Sequence, residues 1–262
     1  MAKKVLMLHG YAQSGTIFSS KTGGFRKTLG KLGYELFYPC APNKITGADM
    51  RDVDDLATRF NTQAGTDEIF GWWLKDPNDQ YKVPPNTVDF LRNYIIENGP
   101  FEGVIGFSQG AGYAGYLCTD VRNLLGLTEE QQPNFKFFIS FSGFRMAPEW
   151  FQEQYNNHPI TVPTLHVEGE LDTVVESSRV MALYNACSAD TRMLLKHPGG
   201  HFVPNGKGFV TKVTNWLQML GEENAVLDAG TDFLQSPSTK SGPAKPELDD
   251  DLLAMIDGMG KV

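Results

Sequence analysis

Gly103-Val-Ile-Gly-Phe-Ser-Gln-Gly-Ala-Gly112 is the stretch whose reading decides the fold. An apolar run ends at Phe107, and Ser108 stands between Gly106 and Gly110. That Gly-x-Ser-x-Gly spacing belongs to a nucleophile elbow, in which two glycines let a strand turn sharply into a helix and push one hydroxyl into a cleft. So short a pattern means little without its setting. The setting agrees. Phe101–Phe107 follows the turn signal Asn98-Gly99-Pro100 and predicts a strand. Gln109–Leu125 starts small and then carries Tyr113, Tyr116, Leu117, Val121 and Leu124, which predicts a helix.

The same residues spell Gly110-Ala-Gly112-Tyr-Ala-Gly115, a dinucleotide-binding pattern. A nucleotide site needs its first glycine directly after the first strand and an acid ending the next one. Here Ser108-Gln109 intervenes, and the next predicted strand, Phe135–Phe141, runs into Ser142-Gly-Phe-Arg145 without an acid. Helix packing explains these glycines better.

Outward from the elbow, six strand candidates alternate with helices. The strands are Lys4–Leu8, Tyr34–Tyr38, Phe101–Phe107, Phe135–Phe141, Thr164–Glu168 and Arg192–Lys196. The helices fall near Ile17–Leu32, Asn86–Asn98, Gln109–Leu125, Ser177–Ala186 and Lys207–Leu220. Such alternation predicts an α/β architecture, a mostly parallel six-stranded sheet with helices on both faces. Two segments exceed ordinary loops, 40–85 with Trp72 and Trp73, and 143–162 with Met146, Trp150, Phe151 and Tyr155. Their aromatics fit either the walls of a substrate pocket or a satellite core.

Composition bounds the rest. A chain of 262 residues holds one sizeable core and a tail. The domain is expected over 1–223 and an acidic, proline- and serine-containing tail over 224–262. Of the net charge of −8, −6 lies in residues 221–262, which leaves no basic stripe for nucleic acid. Glu247–Met259 offers Leu248, Leu252, Leu253, Met255 and Ile256 amid acids, a short helix or a solvated tail; a protein partner for it stays undefined. No apolar run is long enough to span a membrane, and the apolar start is too short for a secretion signal. Cys40, Cys118 and Cys187 have neither disulfide-framework nor metal-ligand spacing, so a cytoplasmic or nuclear setting is expected.

A serine hydroxyl needs a base, an acid to orient that base, and an oxyanion hole. On this fold the chain order is serine, acid, histidine, each after a strand. His201 follows the last strand on the loop Pro198-Gly-Gly200 and is the expected base, with His197 shaping the turn. Proline and glycines between the two histidines preclude a zinc-binding helical face, so no metal is expected. Asp172, in the turn after Thr164–Glu168, is the expected acid, in competition with Glu168 and Glu170. Oxyanion donors are expected from the Gln109 amide and the Tyr11 amide, the latter freed by Gly10 to approach closely. Trp72, Trp73, His9 and Phe202 are expected around the substrate. His166 reads as a core residue and His158 as a loop residue.

His9-Gly-Tyr-Ala-Gln-Ser14, Gly103–Gly110 and His197-Pro-Gly-Gly-His-Phe-Val-Pro-Asn205, with Trp72-Trp73, together resemble the fungal family of serine hydrolases (FSH) within the α/β-hydrolases. The mammalian ovarian-cancer-associated serine hydrolase belongs to the same group. The resemblance spans about residues 3–221. It implies a six-stranded core sheet without the usual N-terminal hairpin, Ser108, Asp172 and His201 as the triad, and ester hydrolysis on substrates that are poorly defined. The expected activity is cleavage of esters or thioesters of apolar acyl groups, small-molecule substrates, through an acyl-enzyme and without a cofactor. A non-catalytic module that binds an apolar ligand on the same fold is the alternative.

Overall fold

The computed structural model describes residues 3–46, 68–76 and 80–232, with side chains as far as residue 222. The acidic run Asp52–Asp55, Pro77 and everything from residue 233, including the linker and the Glu247–Met259 stretch, lie outside the described residues. The chain divides into two units, Met1–Thr214 and Asn215–Val262. The sheet and every described helix before the last belong to the first.

The strands are β1 (Lys3–Leu8), β2 (Tyr34–Phe37), β3 (Asn43–Lys44), β4 (Phe70–Gly71), β5 (Gly103–Phe107), β6 (Phe137–Phe141), β7 (Thr164–Gly169) and β8 (Arg192–His197). Six of them form one sheet in the order β2-β1-β5-β6-β7-β8, parallel throughout. β5, β6 and β7 are buried along their whole length; β5 and β6 accordingly read as unbroken apolar or small-residue runs, while β7 also buries His166 and Glu168. The edge strands β2 and β8 are partly exposed and mix polar with apolar residues. β3 and β4 pair separately and antiparallel within the 40–85 insertion.

This strand order places the functional cleft. From β1 the chain moves one way to β2, then returns to the other side of β1 as β5. The two loops leaving β1 and β5 therefore diverge at the carboxyl ends of neighbouring strands, a topological switch point. The loop after β1 is His9–Gln13, and the turn after β5 is the elbow at Ser108.

The helices are α1 (Gly15–Lys21), α2 (Gly23–Lys31), α3 (Pro85–Asn98), α4 (Gln109–Leu117), α5 (Val121–Leu125), α6 (Glu149–Asn157), α7 (Ser177–Tyr184) and α8 (Lys207–Asp232). Three expectations need correction. The single helix expected over Ile17–Leu32 breaks at Thr22, whose hydroxyl and amide both donate to the Phe18 carbonyl. The helix expected over Gln109–Leu125 breaks after Leu117. Asp120 accepts from the Asn123 amide and starts α5 as its N-cap, a role that draws aspartate out of helix interiors. The last helix runs beyond Leu220 to Asp232, through Glu222, Glu223 and Ala225, which favour helix; the boundary expected at 223/224 falls inside it.

The described residues of both insertions build core. Trp73 stacks on Tyr81 at 4.9 Å between ring centroids, and Tyr81 packs on Phe151 of α6 at 5.8 Å. Tyr116 of α4 meets Phe151 and Tyr155 edge-on at 5.1 and 5.7 Å. The α4 glycines serve this packing. A side chain at Gly110 would collide with the Leu8 and His9 carbonyls, one at Gly112 would meet the Phe144 carbonyl, and one at Gly115 would meet Leu183.

Candidate active site

Ser108 occupies the turn between β5 and α4 with φ 51° and ψ −116°. A non-glycine residue in that conformation is strained and persists only where its surroundings impose it. The Ser108 amide donates to the Phe141 carbonyl of β6 at 2.8 Å, and the Gly112 amide closes the first turn of α4 on the Ser108 carbonyl at 2.9 Å. A Cβ at Gly106 would lie 2.5 Å from the Ala111 Cα and 2.6 Å from its nitrogen, so only glycine lets the helix double back on the strand. Among the described residues, Ala12, Ser108 and Ser142 are the non-glycines with positive φ, and they follow β1, β5 and β6 respectively. Backbone strain thus falls after three neighbouring strands of the sheet, two of them flanking the switch.

The structure brings Ser108, His201 and Asp172 into one line. The Ser108 hydroxyl lies 3.0 Å from His201 Nε2, and His201 Nδ1 lies 2.7 Å from Asp172 Oδ2. The neutral ring therefore carries its proton on Nδ1, donates it to Asp172, and presents a free lone pair to the serine. The His201 and Asp172 side chains are 3% and 2% exposed, so the pair works out of bulk water. Asp172 Oδ1 accepts from the Val174 and Val175 amides, both at 2.9 Å. Burial pushes the Asp172 carboxyl up, but His201, the Val175 amide and the Ser142 hydroxyl outweigh it and hold the group below the ordinary aspartate range. Glu168 lies instead beside Lys196 at 3.9 Å, and Glu170 is exposed. The Phe107 ring packs against His201, 4.8 Å between centroids.

Two loops hold this arrangement. The turn Gly169–Asp172 and the loop Gly199–Gly200 are joined by the Leu171 amide donating to the Gly199 carbonyl at 3.0 Å. His197 Nδ1 accepts from the Gly199 amide at 3.2 Å, and its ring meets Phe202 and Phe209 edge-on, so it shapes the loop that carries His201. At the far end of that loop, Asn205 Oδ1 accepts from the Gly24 amide at 2.8 Å and pins it to α2.

The oxyanion donors expected from Gln109 and Tyr11 lie on the two loops of the switch point. The Gln109 amide opens α4, where no preceding helical carbonyl is available to it. Tyr11 follows Gly10 on the β1 loop. His9 braces that loop. Its Nε2 accepts from the Ala41 amide at 3.0 Å, which leaves Nδ1 to donate to the Gly10 carbonyl at 2.8 Å. Burial lowers its pKa to about 4.

The residues expected around the substrate separate. Trp72, Trp73 and His9 are fully buried, so they are core and brace rather than walls of an open pocket. Aromatic content alone does not tell these apart. Phe202 is 51% exposed, and Leu171, which the sequence reading passed over, is 70% exposed beside Asp172. Also missed were the Gln109 side chain, Ser142 and Asn205, whose partners are distant in sequence. A polar residue opening a helix that is otherwise small and apolar was the available signal for Gln109. Among the described residues, no three His, Cys, Asp or Glu side chains cluster as metal ligands would, and no helix is long and apolar enough to cross a membrane.

His9 and His166 make a prediction about acid stability. His166, mid-strand in β7, lies 3.4 Å from the Cys187 sulfur, and burial followed by the nearby Arg192 charge lowers its pKa to about 3. Both histidines are neutral in the folded protein and titrate at about 6.5 when unfolded. Below pH 6.5 the unfolded chain takes up two protons that the folded one refuses, so stability falls with pH. The contribution of His9 is spent by about pH 4 and that of His166 by about pH 3. Between pH 7 and pH 5 the expected loss is about 4 kcal/mol, read from urea unfolding at a series of pH values. A flat profile over that interval would contradict neutral burial of the pair.

A parallel α/β sheet with a strained serine at its switch point, and an acid and a histidine following later strands in that order, defines an α/β-hydrolase. The chain belongs to the FSH1 family of serine hydrolases: the family model described as "Serine hydrolase (FSH1)" matches residues 1–213. It is 50% identical to "Family of serine hydrolases 3" of Saccharomyces cerevisiae, over 99% of this chain and 98% of that protein. It is 32% identical to "Esterase OVCA2" of Danio rerio, over 77% of this chain and 90% of that one. In fold it is similar to the crystal structure of Zea mays acyl-protein thioesterase 2, with a TM-score of 0.56 at 18% identity, covering 84% of this chain and 94% of that one. The family model stops short of the tail, yet the yeast alignment runs through it, so the tail has a counterpart in that relative.

Proposed function

We propose that this serine hydrolase cleaves carboxylic esters or thioesters of apolar acyl groups through an acyl-enzyme on Ser108. The observation that carries the reading is the hydrogen-bonded line from Ser108 through His201 to Asp172. Ser108 Oγ attacks the acyl carbonyl while His201 Nε2 takes its proton. The carbonyl oxygen becomes an oxyanion, held by the Gln109 and Tyr11 amides. Collapse expels the alcohol or thiol, which takes the proton from His201. Water then attacks the acyl-serine, giving a proton to His201, and as the second tetrahedral intermediate collapses and releases the carboxylic acid, His201 returns that proton to Ser108 Oγ. Asp172 keeps the Nδ1 proton in place and stabilises the imidazolium formed in both halves.

Leu171 and Phe202, exposed on either side of the Asp172–His201 pair in the chain, support an apolar acyl group. The relatives named as esterases support an ester. The three cysteines are unbridged, which supports work in a reducing compartment, cytoplasm or nucleus. The test is hydrolysis of p-nitrophenyl and thiocholine esters of increasing acyl length. Turnover that rises from acetate to medium chains is the expected result. Absence of turnover across both series, with ligand still bound, would favour a non-catalytic binding module.

A further inference from the structure

The two oxyanion donors sit on different elements, the loop after β1 and the first turn of α4. Their separation has to be fixed closely, because a misplacement of about 1 Å near the reacting atoms can lower turnover about 100-fold. The Trp72-Trp73 turn touches both elements.

On the elbow side, the Gln109 side chain makes a two-point clasp on the turn's backbone. Gln109 Oε1 accepts from the Trp72 amide at 2.8 Å, and Gln109 Nε2 donates to the Trp73 carbonyl at 2.9 Å. On the β1 side, the Trp72 indole Nε1 donates to the His9 carbonyl at 2.9 Å, one residue before Gly10. The Phe70 amide donates to the Gln13 carbonyl at 2.8 Å. A side chain at Gly71 would lie 3.0 Å from the Tyr11 ring. The turn itself is anchored from behind, since Thr87 Oγ1 of α3 and Asn43 Nδ2 of β3 both donate to the Trp72 carbonyl. Trp72 and Trp73 are 0% and 1% exposed, so these bonds do not compete with water.

We propose that the Trp72-Trp73 turn is a strut that sets the spacing of the two oxyanion-hole amides, with the Gln109 side chain and the Trp72 indole as its two positioning contacts. The Trp72-Trp73 turn thus acts on the reaction by holding its frame rather than by lining the substrate. The proposal rests on the reading of Gln109 and Tyr11 as donors. It separates two functions within one residue: the Gln109 backbone meets the oxyanion, while its side chain holds the frame.

Gln109→Met keeps length and removes the clasp. Trp72→Phe keeps a buried ring and removes the indole donor. Each is assayed well below its melting temperature for kcat and KM on one ester, and for affinity toward the matching trifluoromethyl ketone, whose serine hemiketal places an oxyanion in the hole. The expected result is a fall in kcat of about 10- to 100-fold, with KM within about twofold and ketone affinity lowered by the same factor as kcat. A purely structural role would lower melting temperature without that matched loss. Should Gln109→Met fail to fold, Trp72→Phe decides. Variants with parental kcat, or with lowered kcat and unchanged ketone affinity, overturn the strut while leaving the hydrolase reading intact. Parent protein that turns over no ester refutes the hydrolase reading, and the strut with it.

Discussion

Ser108→Ala is expected to lower kcat by about 10⁴- to 10⁶-fold and to abolish labelling by a fluorophosphonate probe, with the fold intact. The size follows from the site. His201 Nε2 has the serine hydroxyl 3.0 Å away, and with the hydroxyl gone the acyl-enzyme route closes. What remains is water attack assisted by the oxyanion amides and by binding, a residual of about 10³–10⁴ over solution. Stability changes little, because alanine meets the same strain at φ 51° that serine does. The measurement is kcat on the best ester of the chain-length series, with circular dichroism and thermal melting as controls. Wild-type labelling that persists in the variant would move the nucleophile elsewhere.

Much of this architecture was legible because buried parallel strands announce themselves. β5 and β6 are covered on both faces, and a run such as Phe137–Phe141 has few other uses. Chain order restricted the candidates for acid and base to residues after β7 and β8, and the two chosen on that ground from a sequence with five histidines, Asp172 and His201, lie 2.7 Å apart. Legibility ended where meaning depended on distant partners. Trp72 and Trp73 read equally as pocket wall and core, and the difference lies in bonds to His9 and Gln109, 63 and 36–37 residues away. The breaks at Thr22 and Asp120 depend on side chains that turn back on their own backbone, a local competition that apolar periodicity does not register. The β3–β4 pair is two residues long on each side and carries no periodicity at all.

The insertions also limit which changes the site tolerates. Among the described residues of the 40–85 segment, Ala41, Trp72 and Phe70 hold the loop after β1 by hydrogen bonds to His9 Nε2, the His9 carbonyl and the Gln13 carbonyl. On the strut proposed above, substitutions at Phe70, Trp72 or Ala41 would reach the reaction without touching substrate. By contrast, Leu171 projects into solvent at 70% exposure, whereas Phe202, though 51% exposed, also packs edge-on against His197.

Asp172→Asn tests the base's orientation, and the structure fixes in advance how the new amide must sit. Two backbone amides, from Val174 and Val175, point at Oδ1, so that position has to remain an acceptor. The asparagine therefore turns its carbonyl oxygen to them and its NH₂ toward His201 Nδ1, where the carboxylate oxygen stood at 2.7 Å. A donor facing Nδ1 selects the other imidazole tautomer, with the ring proton on Nε2 aimed at Ser108. In that state His201 offers the serine a proton instead of accepting one, and the positive charge that develops on the ring loses its counter-ion. The expected fall in kcat is about 10⁴-fold at neutral pH, with KM within a few fold. Removal of a 2%-exposed charge leaves the fold in place, because the two loop amides keep their acceptor. Steady-state kinetics beside a crystal structure of the variant would check both halves. Activity within tenfold of the parent would assign the orienting role to another acid, for which Glu170, nearest in the same turn, is the first to replace.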